Sequence, residues 1–344
     1  MKVLHILQSN RYSGAENVVC QIITHMKKQG IESVYASRDG QIRDALSDRE
    51  IAFEPLTAIT KEEVARVVEK VKPDVIHAHD RSASLMAAMA TKKIPIVVHM
   101  HVNNNKGFSM MLKNLVWTLR SGRYSHIFWV SNSSFSGFQF HGVLKKKSSV
   151  LYNVMNREET LAKAEESPAF PSYDAVYVGR LSYQKNPERL MKVLHETCRR
   201  RPEFRAAIAG DGDYAAFVKK YIEENGLEKQ VDYLGYTPKP LGLIRDAKAL
   251  LMTSRFEGTP MVAIEAQILG TPIVSTPADG MRELVEDGVN GYLSEEDEIL
   301  VSRLLQVIED EPLRTTLKEG CAKKSEALTD IEGFCGEILR AYQK

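Results

Sequence analysis

Short apolar runs alternate with longer amphipathic stretches along most of the chain. The runs predict strands, and the amphipathic stretches predict helices. In the first half, strands are predicted at Val3–Leu7, Ser33–Ala36, Asp74–His77, Ile94–His99, His126–Val130 and Ser148–Leu151, and helices at Ala15–Gln29, Lys61–Val71, Ser82–Ala90 and Met110–Arg120. This order predicts a parallel sheet with helices on both faces.

The pattern restarts after residues 157–173, a polar and acidic segment with two prolines that is typical of a linker. Strands are then predicted at Ala175–Val178, Arg205–Ala209, Val231–Leu234, Ala249–Met252 and Ile273–Ser275, with helices at Asn186–Arg200, Ala215–Asn225 and Met261–Leu269. Everything from Glu296 onward is predicted to be helical. We therefore predict an α/β protein with two doubly wound, Rossmann-like domains facing across a cleft, over residues 1–165 and 166–330.

The composition argues for an ordinary globular protein. Of the 344 residues, 43% are apolar and 26% are charged, as in soluble domains. No apolar run reaches the roughly 18 residues of a membrane-spanning helix, and the first strand lacks the features of a secretory signal. The four cysteines show no metal-site spacing, so we expect reduced thiols and a cytoplasmic location.

Charge is distributed unevenly, although the net charge is only +1. Residues 81–157 contain eleven Lys and Arg and no Asp or Glu. Within them, residues 105–123 have the pattern of a basic amphipathic helix. Such a helix contacts anionic membrane surfaces or packs on a core with its charges solvated, and both readings stay open. The basic stretch lacks any recognition motif for nucleic acid, which we do not expect as a partner.

Two glutamates, Glu257 and Glu265, stand eight positions apart around Gly258-Thr259-Pro260. We predict that Thr259 is the N-cap of a helix and that Pro260 is its first residue. Free N–H groups at such a helix start suit a phosphate, while a carboxylate on either side would bind neutral hydroxyls. A nucleotide sugar has that order of groups. Two solvated surface acids would show the same spacing.

Three further loops at strand ends carry candidate chemistry. Gly179–Asn186 places Arg180 and Lys185 on one loop, where both could bind phosphate oxygens. Gly210 lies in Ala209-Gly210-Asp211-Gly212-Asp213, a tight turn that could line the site for a base. Gly14 opens the first helix and would let backbone approach an anion closely.

The segment His99-Met100-His101 presents two histidines on one side of a strand. They could bind a metal, but the sequence offers no obvious third ligand, so we expect no metal site. A polar or acid–base role in a cleft is the alternative that we prefer, and a buried structural histidine remains open.

Together these motifs resemble the family 4 glycosyltransferases of the GT-B fold. The resemblance extends over nearly the whole chain and is strongest over residues 175–293. It rests on Gly179-Arg180-Leu181, Gln184-Lys185-Asn186, Ala209-Gly210-Asp211-Gly212, Phe256-Glu257-Gly258, Glu265-Ala266 and Gly288-Val289-Asn290-Gly291-Tyr292-Leu293. His99-Met100-His101 and Glu265-Ala266-Gln267 look like the exopolysaccharide and capsule branch.

The resemblance implies site roles. Glu257 would hold hydroxyls of the donor sugar, and Glu265 would hold the ribose. Arg180 and Lys185 would neutralise the diphosphate. His101 would lie near the transferring centre. The remaining donor contacts would come from Gly14, Gly210, Gly258 and Thr259. The helix within residues 331–344 would cross back onto the first domain.

The expected reaction is transfer of a hexosyl or N-acetylhexosaminyl group from a nucleoside diphosphate sugar to a glycan or lipid-linked hydroxyl, and the resemblance implies retention of the anomeric configuration. A UDP sugar is the expected donor, and no metal cofactor is expected because fixed cations hold the diphosphate. An acceptor on the inner leaflet would explain the basic first domain. The alternatives are a nucleotide-sugar 2-epimerase of the same fold and a non-catalytic partner of another transferase.

Overall fold

In the computed structural model the chain forms two compact units, Met1–Val154 with Ile331–Lys344, and Met155–Asp330. The structure describes residues 1–101 and 108–344, except for the side chain of Phe108. Within these residues, no helix combines the length and the apolar content that a bilayer crossing requires.

The first unit contains a parallel sheet of seven strands in the order β3-β2-β1-β4-β5-β6-β7. The strands are β1 (Lys2–Ile6), β2 (Glu32–Ala36), β3 (Ala52–Phe53), β4 (Val75–Ala78), β5 (Ile96–Met100), β6 (Tyr124–Trp129) and β7 (Ser148–Val150). The helices between them are α1 (Gly14–Lys28), α2 (Ile42–Ser47), α3 (Lys61–Val71), α4 (Arg81–Ala90), α5 (Phe108–Leu119), α6 (Asn132–Ser136) and α7 (His141–Leu144).

Alternation along the strands decides what each face of the first sheet buries. Leu4 and Ile6 of β1, with Ile76 and Ala78 of β4, pack into one hydrophobic cluster with α3, α4 and Trp117 of α5. The residues between them point to the opposite face, because side chains alternate along a strand. On that face the sheet carries buried histidines where a purely apolar core would be expected.

The second unit contains a parallel sheet of six strands in the order β10-β9-β8-β11-β12-β13. Its strands are β8 (Ala175–Val178), β9 (Ala206–Ala209), β10 (Val231–Gly235), β11 (Ala249–Met252), β12 (Ile273–Ser275) and β13 (Gly291–Leu293). Its helices are α8 (Arg157–Glu165), α9 (Pro187–Arg200), α10 (Ala215–Glu224), α11 (Leu241–Asp246), α12 (Met261–Ile268), α13 (Met281–Leu284), α14 (Asp297–Glu309) and α15 (Glu311–Glu326).

The predicted α/β class with doubly wound parallel sheets is confirmed. Strands β3 and β13 were not predicted, because with two and three residues they are too short to show a pattern. The predicted linker was partly wrong, since residues 157–165 form α8, with the Asn156 side chain accepting from the Glu159 N–H at its start. Because α8 packs on α11 and α12, it lies in the second unit, whereas we placed it before a boundary at residues 165 and 166.

The last helix, α16 (Ile331–Tyr342), belongs to the first unit. It packs against α1. At its end the Tyr342 hydroxyl lies 2.7 Å from Nδ1 of His77. This contact and the ring of Phe334 beside His99 attach the carboxyl-terminal helix to the histidine-bearing face of the first sheet.

Candidate active site

The second sheet reverses its strand order between β8 and β11. Successive strands run outward from β8 in one direction and from β11 in the other, so the loops after these two strands diverge. In open α/β sheets such a reversal leaves a crevice at the carboxyl ends of the strands, where ligands bind. The loop after β8 carries Arg180 and Lys185, and the loop after β11 carries Glu257, so the fold brings these predicted residues to the reversal point.

Lys185 and Glu257 form a buried ion pair across the two loops. Nζ of Lys185 lies 2.6 Å from Oε1 of Glu257, and the side chains are 17% and 5% exposed. The Ser254 hydroxyl donates to the same oxygen at 2.6 Å. The Gln184 amide reaches Oε2 at a longer 3.3 Å. Oε2 is therefore the less saturated oxygen and the one with capacity to accept a ligand hydroxyl.

Arg255 links the loop after β11 to the loop after β8. Its backbone N–H donates to the Gln184 carbonyl at 2.8 Å, and its guanidinium donates to the Tyr183 carbonyl at 2.7 Å and to Glu188 at 2.6 Å. The guanidinium also lies over the Tyr183 ring, 4.3 Å from its centroid. Four contacts from one residue fix the separation of the loops that hold Lys185 and Glu257. We did not single out Arg255 from the sequence, because its partners follow a different strand.

Helix α12 begins one residue later than predicted. Its N-cap is Pro260 rather than Thr259, and Met261 is its first residue. Pro260 has extended backbone angles, φ −70° and ψ 122°, and proline has no side-chain acceptor to cap the helix. Pro260 therefore gives α12 no side-chain cap, which suits a helix start that binds an anion. Thr259 lies just outside the helix and is buried.

Glu265 is the fifth residue of α12 and is partly buried. Burial raises the pKa of its carboxyl to about 7, although the positive charges of Lys163 and Lys185 act in the opposite direction. Among the described residues no hydrogen-bond donor to this carboxyl is found. A carboxyl that is desolvated and lacks a donor can accept hydroxyl groups from a ligand.

The glycines at the strand ends allow backbone to approach backbone. A Cβ on Gly210 would lie 1.9 Å from the Gly179 carbonyl oxygen, and the Gly210 N–H donates to the Gly235 carbonyl at 2.7 Å. A Cβ on Gly280 would lie 1.6 Å from the carbonyl oxygen of Gly258. Gly210 and Gly280 thus allow the close approach of backbone around the site, and in the second case the backbone approached is that of Gly258.

The other predicted site residues lie elsewhere or are less engaged. Arg180 is exposed, and its guanidinium forms no ion pair within the described ranges. Gly14 is the exposed first residue of α1, after the N-cap Ser13. His101 is buried just after β5. Gly14 and His101 belong to the first unit.

Three histidines that we missed accompany His99 and His101 in the first unit. His5, His77 and His79 are buried with them on β1 and at the end of β4. Nδ1 of His5 lies 3.0 Å from Nε2 of His79, and Nδ1 of His79 lies 3.1 Å from Nε2 of His101. The sequence did hold a signal, since His77-Ala78-His79 repeats the spacing of His99-Met100-His101 on another strand.

Helix α5 presents apolar side chains to solvent. Leu112, Leu115, Val116 and Leu119 are 47%, 40%, 49% and 76% exposed. The helix is attached to its unit by the opposite side, where the Trp117 indole N–H donates to the Ser84 hydroxyl at 2.8 Å. The apolar face predicted over residues 105–123 is thus not a core face. The part of that prediction on residues 105–107 lies outside the described residues.

Two family models match adjoining parts of the chain. The model described as Glycosyltransferase Family 4 matches residues 12–159. The model described as Glycosyl transferases group 1 matches residues 162–324. The chain is a glycosyltransferase of the family 4 type. The matches correspond closely to the two sheets, and the fold is GT-B.

Individual relatives are distant. The chain is 26% identical over 267 residues to an uncharacterized glycosyltransferase of Methanocaldococcus jannaschii, covering 74% of this chain and 70% of that protein. It is 27% identical over 231 residues to the lipopolysaccharide 1,6-galactosyltransferase of Salmonella typhimurium, covering 66% and 62%. The crystal structure of Anabaena HepE in complex with UDP-glucose matches with a TM-score of 0.87 at 24% identity, covering 100% and 99%. This structural likeness concerns the fold.

Proposed function

We propose that this glycosyltransferase moves a hexosyl or N-acetylhexosaminyl group from a UDP sugar to a hydroxyl of a glycan or lipid-linked acceptor, with retention, in cell-surface polysaccharide synthesis. The observation that supports this proposal most strongly is the arrangement of side chains where the strand order of the second sheet reverses. There the Lys185–Glu257 pair, the start of α12 and the Glu265 carboxyl supply cationic, N–H and acceptor groups. HepE with UDP-glucose and the Salmonella galactosyltransferase support the donor and the pathway class.

The donor's groups match these side chains in chemistry. The diphosphate requires positive charge, which Arg180, Lys185 and the N–H groups at the start of α12 provide. Hydroxyls of the sugar and of the ribose require acceptors, for which we assign Oε2 of Glu257 and the Glu265 carboxyl. Gly258 and Thr259 lie between the two acids and would line the diphosphate.

In the proposed reaction the bond between the anomeric carbon and the diphosphate oxygen breaks, and the acceptor oxygen bonds to the same carbon. Lys185 and Arg180 stabilise the negative charge that develops on the departing diphosphate. The acceptor proton passes to the leaving diphosphate, so that no charged base is required. His101 contributes a neutral hydrogen-bonding imidazole, because burial lowers its pKa to about 3. Gly14 contributes backbone N–H to the donor phosphate.

The acceptor side is assigned to the first unit, together with a peripheral contact to an anionic membrane on the cytoplasmic side. The exposed apolar face of α5 supports this assignment, since single-sided apolar helices bind at lipid interfaces. Basic side chains of residues 81–157, including Lys145, Lys146 and Lys147, supply attraction to anionic headgroups.

The experiment is a thermal-shift panel of nucleotides and nucleotide sugars, followed by product analysis. A ligand that binds only the folded state raises the melting temperature in proportion to RT ln(1 + [L]/Kd). We expect UDP and one UDP sugar to give the largest shifts, and Glu257→Ala and Glu265→Ala to reduce the shift with the sugar. Turnover of donor without acceptor, yielding an isomerised sugar, would indicate the epimerase instead. Binding without turnover on any acceptor would indicate the non-catalytic partner.

A further inference from the structure

Five buried histidines occupy one face of the first sheet. His5 lies on β1, His77 and His79 on and just after β4, and His99 and His101 on and just after β5. Their rings form a continuous group, with centroid separations of 4.0 Å for His77 and His79 and 4.4 Å for His99 and His101. The adjacent strands β1, β4 and β5 are in parallel register, which holds the imidazoles at fixed separations.

Several ring nitrogens in this group have no hydrogen-bond partner in the described part of the chain. They are Nε2 of His5, Nε2 of His77, both nitrogens of His99 and Nδ1 of His101. Buried polar atoms in folded proteins are nearly always paired, because desolvation without a partner is costly. His99 is the extreme case, because its imidazole is fully buried and neither ring nitrogen has a partner among residues 1–101 and 108–344.

Three of these rings converge. His79, His99 and His101 each present one ligand atom, and those atoms lie within 4.8 Å of one another. Nδ1 of His79 is 3.1 Å from Nε2 of His101. Two imidazole nitrogens on one tetrahedral zinc ion, each at roughly 2.0–2.1 Å, are about 3.3 Å apart. His79 and His101 therefore need only a small adjustment to share an ion, and His99 has a ligand atom within 4.8 Å of both.

The surrounding contacts fit a ligand role for His79 in particular. When its Nδ1 binds a metal, its Nε2 carries the remaining proton, and Nδ1 of His5 lies 3.0 Å away to accept it. Such an outer partner fixes the tautomer and the ring orientation of a ligating histidine. His5 and His77 with His79 form a second converging group, but His77 already uses its Nδ1 for Tyr342. His101 is also 7% exposed, whereas His5 and His77 are fully buried.

We propose that His79, His99 and His101 form a binding site for one divalent transition-metal ion of the zinc class, with His5 as the outer partner of His79. Neutral imidazoles suit zinc, cobalt, nickel and copper better than magnesium or calcium. Burial keeps all three rings neutral, because it lowers the pKa of His79, His99 and His101. The proposal does not depend on the proposed function, and it departs from our sequence-based expectation of no metal ligands.

The test uses the full chain purified without a metal-affinity step, stripped with a chelator and titrated with Co²⁺ or Zn²⁺. We expect about one ion per chain, a visible Co²⁺ spectrum of low coordination number, and a rise in melting temperature with Zn²⁺. X-ray absorption of the loaded protein should show imidazole nitrogen in the first shell. Because these measurements use the unaltered chain, their outcome does not depend on whether any variant folds.

Variants then locate the site. His79→Gln and His99→Gln should abolish the Co²⁺ spectrum, while His5→Phe should weaken Co²⁺ binding by about 10-fold or more. His126→Gln, on β6 of the same sheet and bonded to Ser149, is the matched control and should bind as the unaltered chain does. Circular dichroism establishes that each variant is folded. Absence of Zn²⁺ or Co²⁺ binding to the unaltered chain, an all-oxygen first shell, or full binding by folded His79→Gln would overturn the proposal.

Discussion

Lys185 Nζ and Glu257 Oε1 are 2.6 Å apart in a pair whose side chains are only 17% and 5% exposed. The two residues lie 72 positions apart in the sequence. In the proposed reaction Lys185 also stabilises the negative charge of the diphosphate, and Glu257 also accepts hydrogen bonds from hydroxyls of the sugar. The ion pair therefore sets the position of both groups before the donor arrives, which reduces the reorganisation that catalysis would otherwise require.

This coupling predicts a non-additive pair of substitutions. Lys185→Met alone leaves Glu257 buried without its cation, and we expect it to lower the free energy of unfolding by about 1–3 kcal/mol. Adding Glu257→Gln removes the unpaired charge, so the double variant should be less destabilised than the sum of the single variants. Urea denaturation of the four proteins measures the coupling energy. Strict additivity would contradict the pairing.

The same variants separate stability from catalysis. Lys185→Met should lower kcat/KM by about 10²–10³-fold, because a preorganised charge at the leaving group is lost. Lys220→Met, which removes an exposed lysine of α10 that pairs with Glu224, is the control and should leave kcat/KM unchanged. Equal activity of Lys185→Met and the control would remove Lys185 from the leaving-group site.

Glu265 predicts a pH dependence of donor binding. Its pKa of about 7 means that the carboxyl becomes ionised as the pH rises through neutrality, and the ionised form is the stronger acceptor of ribose hydroxyls. Donor affinity should therefore increase, by up to about tenfold between about pH 6 and pH 8. Calorimetry with UDP-glucose over this range tests the expectation, since its diester diphosphate has no group titrating there. Glu265→Gln should bind more weakly at high pH and show a flat profile; a sloped profile in this variant would assign the dependence elsewhere.

Gly210 predicts a strict size limit at the end of β9. Gly210→Ala would place a Cβ 1.9 Å from the Gly179 carbonyl oxygen, and backbone atoms cannot yield as a flexible side chain could. We expect a loss of about 1–3 kcal/mol in unfolding free energy together with weaker donor binding. Gly122→Ala, where nothing lies within 4 Å of the added Cβ, should change neither. Chemical denaturation and calorimetry measure both quantities, and tolerance of Ala at Gly210 would show that the loops can separate.

We predict that Arg255 affects activity by holding the two loops in place and not by contacting the substrate. Arg255→Ala should lower kcat/KM by about tenfold or more, because the guanidinium contacts that hold the loops of Lys185 and Glu257 together are lost. Arg255→Lys should not restore it, since an ammonium cannot reproduce the fork of donors. Tyr183→Phe keeps the ring beneath the guanidinium and should behave normally, whereas Tyr183→Ala should not. Full activity of Arg255→Ala in steady-state kinetics would show that these contacts do not position Lys185 and Glu257.

Helix α5 predicts binding to anionic vesicles. Replacing Leu112, Leu115 and Leu119 by Gln should reduce co-sedimentation with phosphatidylglycerol vesicles, because it removes apolar surface that the lipid interface would bury. Tyr236→Gln removes a side chain of the second unit that is 76% exposed, and this variant should bind as the unaltered chain does. Binding should also weaken at high salt. Insensitivity to salt, to anionic lipid or to the α5 substitutions would contradict the membrane assignment.

The sequence alone determined the α/β class and most strands, because their apolar runs are long enough to be read locally. It also placed Glu257 and Glu265 on either side of a helix start, since both lie in one short segment. The boundary of that helix was predicted one residue early, because Pro260 takes extended angles as the N-cap and leaves Thr259 outside. Short elements such as β3 and β13 depend on pairing with a neighbouring strand and leave no local pattern.

Tertiary structure decided the partnerships. Lys185 meets Glu257, and Arg255 meets Glu188, only because β8 and β11 are neighbours at the point where the strand order reverses. His79 joins His99 and His101 only because β4 lies beside β5. A sequence gives the spacing of residues within a strand or a helix, but the distance between two strands' loops is set by which strands pair. The chemistry that we propose for both sites depends on those distances.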